Sequence, residues 1–164
     1  MKQPRFQMQC RQMFQLAMVF TTLFFTNNNL WGQTQNDTLL IRETVLNYLE
    51  GLEYNDSVRV EKAMHPDLAK RVIREDKSGN DKLSNMTAAT LLHYAKTYDY
   101  TKLYKAGVDP QEPLKVEVLL FDISNNIATV KAIQNKFAFF DYIHLGKLNG
   151  EWKIINILWA WTER

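Results

Sequence analysis

Cysteine is almost absent from this chain of 164 residues, because Cys10 is the only one. A single thiol excludes an internal disulfide and a metal site built from several cysteines. Arg11 follows Cys10 and no apolar run precedes it, so the position does not resemble a lipoprotein acylation site. We therefore expect the fold to be stabilised by packing alone.

Acidic residues are absent from the beginning of the chain, where Asp37 is the first. Basic residues instead precede an apolar run of 12 residues, 14–25, and the small residue Gly32 is suited to cleavage. The run is shorter than the ~20 residues that span a bilayer. We therefore expect a cleaved signal peptide at 1–32, with export to the periplasm or secretion. A retained N-terminal anchor is the competing interpretation.

A strong excess of one charge is also missing once the signal peptide is set aside. Removing Lys2, Arg5 and Arg11 from the 20 basic residues leaves 17 against 18 acidic residues, a net charge of −1. No basic patch remains that would favour nucleic acid as a partner. After cleavage we expect no stable membrane anchor.

The apolar and aromatic content of the chain is enough to form one hydrophobic core. Apolar residues make up 46% of the chain and aromatic residues 12%, which is enough for a single domain. We assign 33–38 to a polar linker and 39–164 to the domain. The helical spacing of apolar residues predicts a first helix over 39–52 and a shorter second helix over 58–64.

The triplet His65-Pro66-Asp67 follows the second helix. The residue before a proline is pushed out of the α region, so the helix is expected to end there. His65 is either a base or pocket donor, since imidazole titrates near neutral pH, or a structural residue at a hinge. A polar loop over 75–84 and a third helix beginning at Asn85 or Thr87 are expected to follow.

From residue 114 the apolar period changes to two, which is typical of strands. The Asn149-Gly150 pair is the strongest hairpin signal, because a type I′ turn needs φ > 0 at both central residues. Four strands are predicted, at 114–123, 127–134, 137–148 and 151–161. The predicted fold class is α+β, with N-terminal helices packed on a curved antiparallel sheet.

The last predicted strand is apolar on both faces. Its expected outward face consists of Ile155, Ile157, Trp159 and Trp161. A sheet with one wet face should alternate apolar and polar residues, and exposing these side chains would be costly. We therefore expect a homodimer that buries the outer face of the sheet.

Three segments carry a resemblance to a known family: His65-Pro66-Asp67, Asp141-Tyr142 and the run Gly150-Glu-Trp-Lys-Ile154. In this order and spacing the chain resembles the nuclear transport factor 2-like superfamily, and within it the small bacterial proteins called putative lumazine-binding. The resemblance covers about 39–161. It implies a conical, cystatin-like fold whose sheet wraps around a pocket, often with a homodimer through the outer sheet face. The superfamily includes ketosteroid isomerase, SnoaL-like cyclases and many non-enzymes, so the fold does not decide the function.

Asp141 and Asn156 are the leading candidate site residues. Simple pairing across the Asn149-Gly150 turn puts both on one face of the sheet, among apolar residues. A buried carboxylate must be hydrogen-bonded, or its pKa rises. Asp141 is therefore either a catalytic base, as a carboxylate is in ketosteroid isomerase, or a structural buttress that bonds the backbone, Tyr48 or His65.

The complete set of candidate pocket residues is Asp141, Asn156, His65, Tyr48 and Trp152. The tyrosines at 94, 98, 100 and 104 are interpreted as packing at the pocket rim. No histidine spacing indicates a metal site, no phosphate-binding glycine loop is present, and no cofactor is expected.

We expect an exported protein that binds a small hydrophobic or aromatic ligand without catalysis. One alternative is a cofactor-free isomerase, cyclase or dehydratase with Asp141 as its base. The other is a pocketless, dimeric interaction module whose aromatic outer face is its functional surface.

Overall fold

The computed structural model describes residues 35–162. The signal peptide expected at 1–32 lies outside the described residues. In chain order, the elements are α1 (35–53), α2 (Ser57–Ala63), β1 (Met64–Glu75), β2 (Asp81–Thr87), α3 (Ala88–Thr97), a 3₁₀ helix (Tyr100–Leu103), β3 (Val116–Ser124), β4 (Ile127–Gln134), β5 (Phe139–Leu148) and β6 (Glu151–Trp161). None of the helices within the described range is long and apolar enough to cross a bilayer.

The helices begin where the sequence offers caps. The Asp56 carboxylate accepts hydrogen bonds from the backbone N–H groups of Val58 and Arg59, which starts α2. The Thr87 hydroxyl accepts from the N–H of Thr90 and starts α3, one of the two positions that the sequence indicated. The first helix includes residues 35–38, which the composition had assigned to a linker.

The first hairpin of the sheet differs from the prediction. The chain leaves α2 and enters β1 directly, so His65-Pro66-Asp67 lies within a strand, at an irregularity between the pairing of Met64 and that of Ala69 with β6. The polar loop predicted over 75–84 is wrong. It is a short turn, and β2 then pairs with β1 in antiparallel register.

The sheet has six strands in the order β2-β1-β6-β5-β4-β3. Strands β3 to β6 form the predicted antiparallel meander, with the Asn149-Gly150 turn in the expected positive-φ conformation (φ 50° and 86°). Strand β1 lies parallel to β6 and extends the meander. The α+β class is confirmed, and the sheet is mixed rather than wholly antiparallel.

A β-bulge at Ile155 changes which side chains of β6 face inward. Leu145 pairs with Ile154, but the next pair is His144 with Asn156, so Ile155 is an extra residue. Beyond the bulge the simple register is wrong by one residue, and every later side chain changes face. Ile157 and Trp159 are therefore buried inside the domain, whereas Leu158 is 48% exposed on the outer face.

The core lies between α1 and the inner face of the sheet. One stripe of α1 is almost fully buried and consists of Ile41, Val45, Tyr48, Leu49 and Leu52. Inward residues of the central strands pack against this stripe, among them Ile143, Leu145, Ile154 and Ile157. The inner face thus has an apolar centre, and the side chains toward β1 and β2 are left to line a cavity.

Candidate functional site

A cavity of about 560 Å³ lies between α3, the 3₁₀ helix and the inner face of the strands β2, β1, β6 and β5. Six aromatic side chains line it: Tyr94, Tyr98, Tyr100, Phe139, Trp159 and Trp161. Aliphatic groups such as Val72 and Leu91 complete the apolar part. Its volume falls within the range of sites that bind small molecules.

The polar groups of the cavity are few and mostly uncharged. Ser84, Asn85 and Thr90 contribute hydroxyl and amide groups. Lys70 and Arg74 contribute the only charges, since the cavity-lining residues within 35–162 include no carboxylate. The cavity is therefore aromatic with a positive bias.

Lys70 ends in a buried polar cluster at the inner end of the cavity. Its Nζ lies 2.9 Å from Oδ1 of Asp141 and donates to the Tyr48 hydroxyl at 2.5 Å. The Tyr48 hydroxyl lies 3.5 Å from Oδ2 of Asp141, at the limit of a hydrogen bond. Each of the three polar side chains therefore has a partner in the other two.

Aromatic rings surround the same ammonium group. Nζ of Lys70 lies 5.1 Å from the ring centroid of Phe139, 5.2 Å from that of Tyr48 and 5.3 Å from that of Trp159. The faces of aromatic rings attract cations, most strongly where water is excluded. These contacts favour the charged form of Lys70 in a place that solvent scarcely reaches.

Burial shifts the pKa of every group in this cluster. Loss of water raises the pKa of Asp141, against the opposing effect of the Lys70 charge. Loss of water also lowers the pKa of Lys70, against the opposing charge of Asp141. Burial and then the nearby Asp141 charge raise the pKa of Tyr48 well above its ordinary value. Each ion thus depends on the other for its charge.

Asp141 does not reach the cavity. Its side chain is 1% exposed and lies behind Lys70, which lines the cavity while Asp141 does not. Tyr48 occupies the other side of the carboxylate. The carboxylate oxygens therefore face a lysine and a phenol of the same chain.

The structure brings two of the sequence-predicted site residues together, Asp141 and Tyr48. It places His65 elsewhere, on β1, where its Nδ1 accepts from the Asp67 N–H at 3.2 Å. Trp152 is buried in the core and does not line the cavity. Ligand binding by these residues stays a prediction, and His65 and Trp152 are not at this cavity.

Asn156 lies on the opposite face from Asp141, so the expected Asp141–Asn156 pair is wrong. The bulge before it turns the side chain outward, where its Oδ1 accepts from an Arg71 N–H at 3.3 Å. The same bulge turns Trp159 inward, against the expectation that it faces outward. Trp159 thereby becomes part of the cavity wall.

Sequence reasoning missed Lys70 and Arg74, and it undervalued the tyrosines. Both cations lie on β1, at the inward positions of the alternating run from Leu68 to Arg74. Recognition of that alternation would have placed a lysine between the inward residues Leu68 and Val72, which is unusual enough to mark a site. The residues interpreted as rim packing at 94, 98 and 100 line the cavity itself.

A second buried ion pair lies outside the cavity. Glu53 of α1 pairs with Lys136, and the Tyr104 hydroxyl donates to the same carboxylate at 2.6 Å. Although burial acts in the opposite direction, the hydrogen bond from Lys136 to Glu53 raises the lysine pKa. None of these three residues lines the cavity. Because Lys136 also donates to the backbone carbonyl of Pro110, the ion pair connects the loop after Tyr104 to α1.

The comparisons with known proteins agree on family and fold. A family model described as "putative lumazine-binding" matches residues 36–160. No curated protein matches the chain. Among solved structures, an NTF2-like protein of unknown function from Shewanella baltica has a TM-score of 0.58 at 18% identity, covering 76% of this chain and 93% of that one.

Two further solved structures show the same fold. An NTF2-like protein with a cystatin-like fold from Novosphingobium aromaticivorans has a TM-score of 0.57 at 13% identity, covering 84% of this chain and 90% of that one. A ketosteroid isomerase-like protein from Erwinia carotovora atroseptica has a TM-score of 0.52 at 13% identity, covering 77% of this chain and 96% of that one. At these identities the likeness concerns architecture.

Proposed function

We propose that this chain, which belongs to the putative lumazine-binding family, is an exported protein that binds a planar aromatic small molecule in its cavity. The carrying observation is the wall of six aromatic side chains around a volume of about 560 Å³. Aromatic rings pair favourably with other rings at offset or edge-to-face geometry. A flat ligand would gain such contacts on several sides.

Binding without catalysis is favoured by the position of Asp141. A general base must lie within hydrogen-bond reach of the proton that it removes. The Asp141 carboxylate is held by Lys70 and Tyr48 and lies behind the cavity wall. A role for it as a base would require the Lys70 side chain to leave a buried ion pair first.

Lumazine is the first ligand to test, because the family description names it and its two fused rings are planar. Calorimetric titration with lumazine and with other bicyclic aromatics should show binding to the parent protein at one site per chain. Burial of the ligand should also give a negative heat-capacity change.

A pair of variants on β2 locates the binding. Ser84 lines the cavity, so Ser84→Trp should fill it and weaken binding at least tenfold. The neighbouring Leu83 is 57% exposed and points to the other face of the strand, so Leu83→Trp should bind like the parent. Equal binding by both variants, or no binding by the parent, would refute the proposed site.

Export is a separate part of the proposal and rests on the N-terminal sequence. The mature protein should begin near Gln33. N-terminal sequencing of protein recovered from the extracytoplasmic compartment tests this. Recovery of chains that still begin at Met1 would count against cleavage.

A further inference from the structure

We infer that the ligand of this cavity is an anion, an aromatic acid whose negative group is held by Arg74 and Lys82 at the cavity mouth. The inference rests on the proposed function and narrows it to a chemical class. It favours planar molecules that carry a carboxylate, or an equivalent acidic group, over the same ring systems without one.

Arg74 is placed to meet such a group. It lines the cavity, and its guanidinium carbon lies 5.6 Å from the ring centroid of Trp159. The same indole has the Lys70 ammonium at 5.3 Å. One aromatic wall of the cavity therefore lies between a buried cation and a solvent-exposed cation.

The two cations differ in whether a carboxylate of the chain compensates them. Lys70 has Asp141 at 2.9 Å. Among residues 35–162, no carboxylate oxygen lies within ion-pair distance of the Arg74 guanidinium. The acidic residues nearest to it in the hairpin, Glu75 and Asp81, pair with each other across the strands, on the opposite face from Arg74. Within residues 35–162 the Arg74 guanidinium is therefore not paired with a carboxylate, and it can pair with an anionic ligand.

Lys82 adds a second positive charge beside Arg74, next to the residues that line the cavity. It is the direct cross-strand partner of Arg74, and it shares the inward face of β2 with Ser84 and Met86, which line the cavity. Like charges directly opposite each other destabilise a strand pair. An anion bound between Arg74 and Lys82 would be attracted to both cations and would offset their repulsion, which favours an anion at this position.

The spacing along β1 sets the shape of the ligand. Lys70 and Arg74 are four residues apart, and their charged groups lie 5.3 Å and 5.6 Å from the same Trp159 ring centroid, hence at most about 11 Å from each other. Val72 lies between them on β1, and Val72, Trp159 and Tyr98 all line the cavity. Two rings with an acidic substituent at one end fill that length, and the planar guanidinium of Arg74 matches a carboxylate in two-point contact.

Matched ligand pairs test the charge requirement. The pairs are 2-naphthoate with 2-naphthylmethanol and biphenyl-4-carboxylate with biphenyl-4-methanol, titrated calorimetrically at low ionic strength. Each acid should bind the parent protein about tenfold more tightly than its alcohol, the effect of one charge-assisted contact. The preference should shrink as salt is added, because the mouth is open to solvent.

Two variants assign the preference to Arg74. Arg74→Met should remove the preference for acids while leaving the affinity for the alcohols nearly unchanged. Arg71→Met is the matched control, because Arg71 lies on the same strand, faces outward and bonds Asn156. This control should keep the preference.

The outcomes separate this inference from the function on which it rests. Acids and alcohols that bind the parent equally well, or a preference that survives in Arg74→Met, would overturn the anion inference and leave a neutral aromatic site. If none of the four ligands bound although lumazine did, the anion inference alone would fall. If lumazine did not bind either, the proposed binding function would be refuted with it.

Discussion

The Lys70 ammonium and the Asp141 carboxylate lie 2.9 Å apart with side chains that are 7% and 1% exposed. Taking two ions out of water costs several kcal/mol per ion, and their attraction only offsets this cost when the geometry is good. The Tyr48 hydroxyl and three aromatic rings supply the remaining contacts. Each ion therefore needs the other to remain charged in the interior, and the pair as a whole adds little net stability to the fold.

Removing one ion of the pair should be costly. Asp141→Asn leaves a buried ammonium without its counter-ion, and Lys70→Met leaves a buried carboxylate, so each should lose about 3–5 kcal/mol of unfolding free energy. The double variant Lys70→Met/Asp141→Leu should lose much less than the sum. Urea unfolding measures all three, with Asp122→Asn on the exposed part of β3 as the control. An Asp141→Asn variant that melts like the parent but fails to bind ligand would contradict the buttress and favour Asp141 as a base.

Tyr100 gives the protein a predictable alkaline limit. Burial raises the pKa of its hydroxyl above the ordinary value, so the folded state keeps the proton longer than the unfolded state does. The resulting stability is present below pH ~10 and is lost as the pH rises beyond it, because the unfolded state then binds fewer protons. Tyr100→Phe should flatten this loss, and the exposed Tyr54→Phe should not. Identical slopes of unfolding free energy against pH for the two variants would contradict the assignment.

At the scale of the elements, the bulge in β6 decides which side chains build the cavity. If Ile155 were paired regularly with His144 instead of forming the bulge, Trp159 would point outward and Asn156 inward. The bulge therefore exchanges an amide for an indole on the inner face. It also explains why Asp141 stands opposite Trp159 in the sheet.

Deletion of Ile155 should remove the bulge and keep the faces of the strand, because Asn156 then follows Ile154 directly and still pairs with His144. Insertion of one alanine between Asn156 and Ile157 should instead turn Ile157 and Trp159 outward and unfold the domain. The deletion variant is therefore the control and should remain folded with Trp159 buried. Near-ultraviolet circular dichroism and tryptophan emission report the packing. A native-like spectrum of the insertion variant would contradict the role given to the inward positions of Ile157 and Trp159.

The meander was predictable because its strands alternate apolar and polar residues and end in a strong turn at Asn149-Gly150. Strands β1 and β2 were missed because their inward positions carry the polar residues Lys70, Arg74 and Ser84, which line a cavity and so obscure the apolar–polar pattern in the sequence. The bulge could not be predicted, because in a strand that is apolar on both faces the sequence pattern does not change when the side chains switch faces. The candidate site was therefore found only in part, through Asp141 and Tyr48.

At the scale of the whole molecule, the outer face of the sheet carries large exposed apolar groups. They include Leu119, Phe121, Tyr142 and Leu158. Phe121 and Tyr142 stack with ring centroids 6.2 Å apart. Ile157 and Trp159, which the simple register had placed there, are buried within the domain, so the expected apolar stripe consists of different residues.

We propose that this corrected outer face forms a homodimer. Covering its apolar area would contribute ~25 cal/mol per Å². Light scattering at micromolar concentration should give twice the mass of the mature chain. Leu158→Lys places a charge at the centre of the face and should give single chains, whereas Leu148→Lys at the end of β5 should not. A parent protein that scatters as one chain would contradict the dimer.

The central claim is that the cavity between α3 and the inner sheet face holds a small aromatic molecule. Mass spectrometry of the small molecules released by denaturing protein purified from its own cell compartment tests this most directly. The parent and Leu83→Trp should release the same aromatic acid, in an amount close to one per chain, and Ser84→Trp should release none of it. A parent protein that releases no compound absent from the Ser84→Trp sample would contradict the claim.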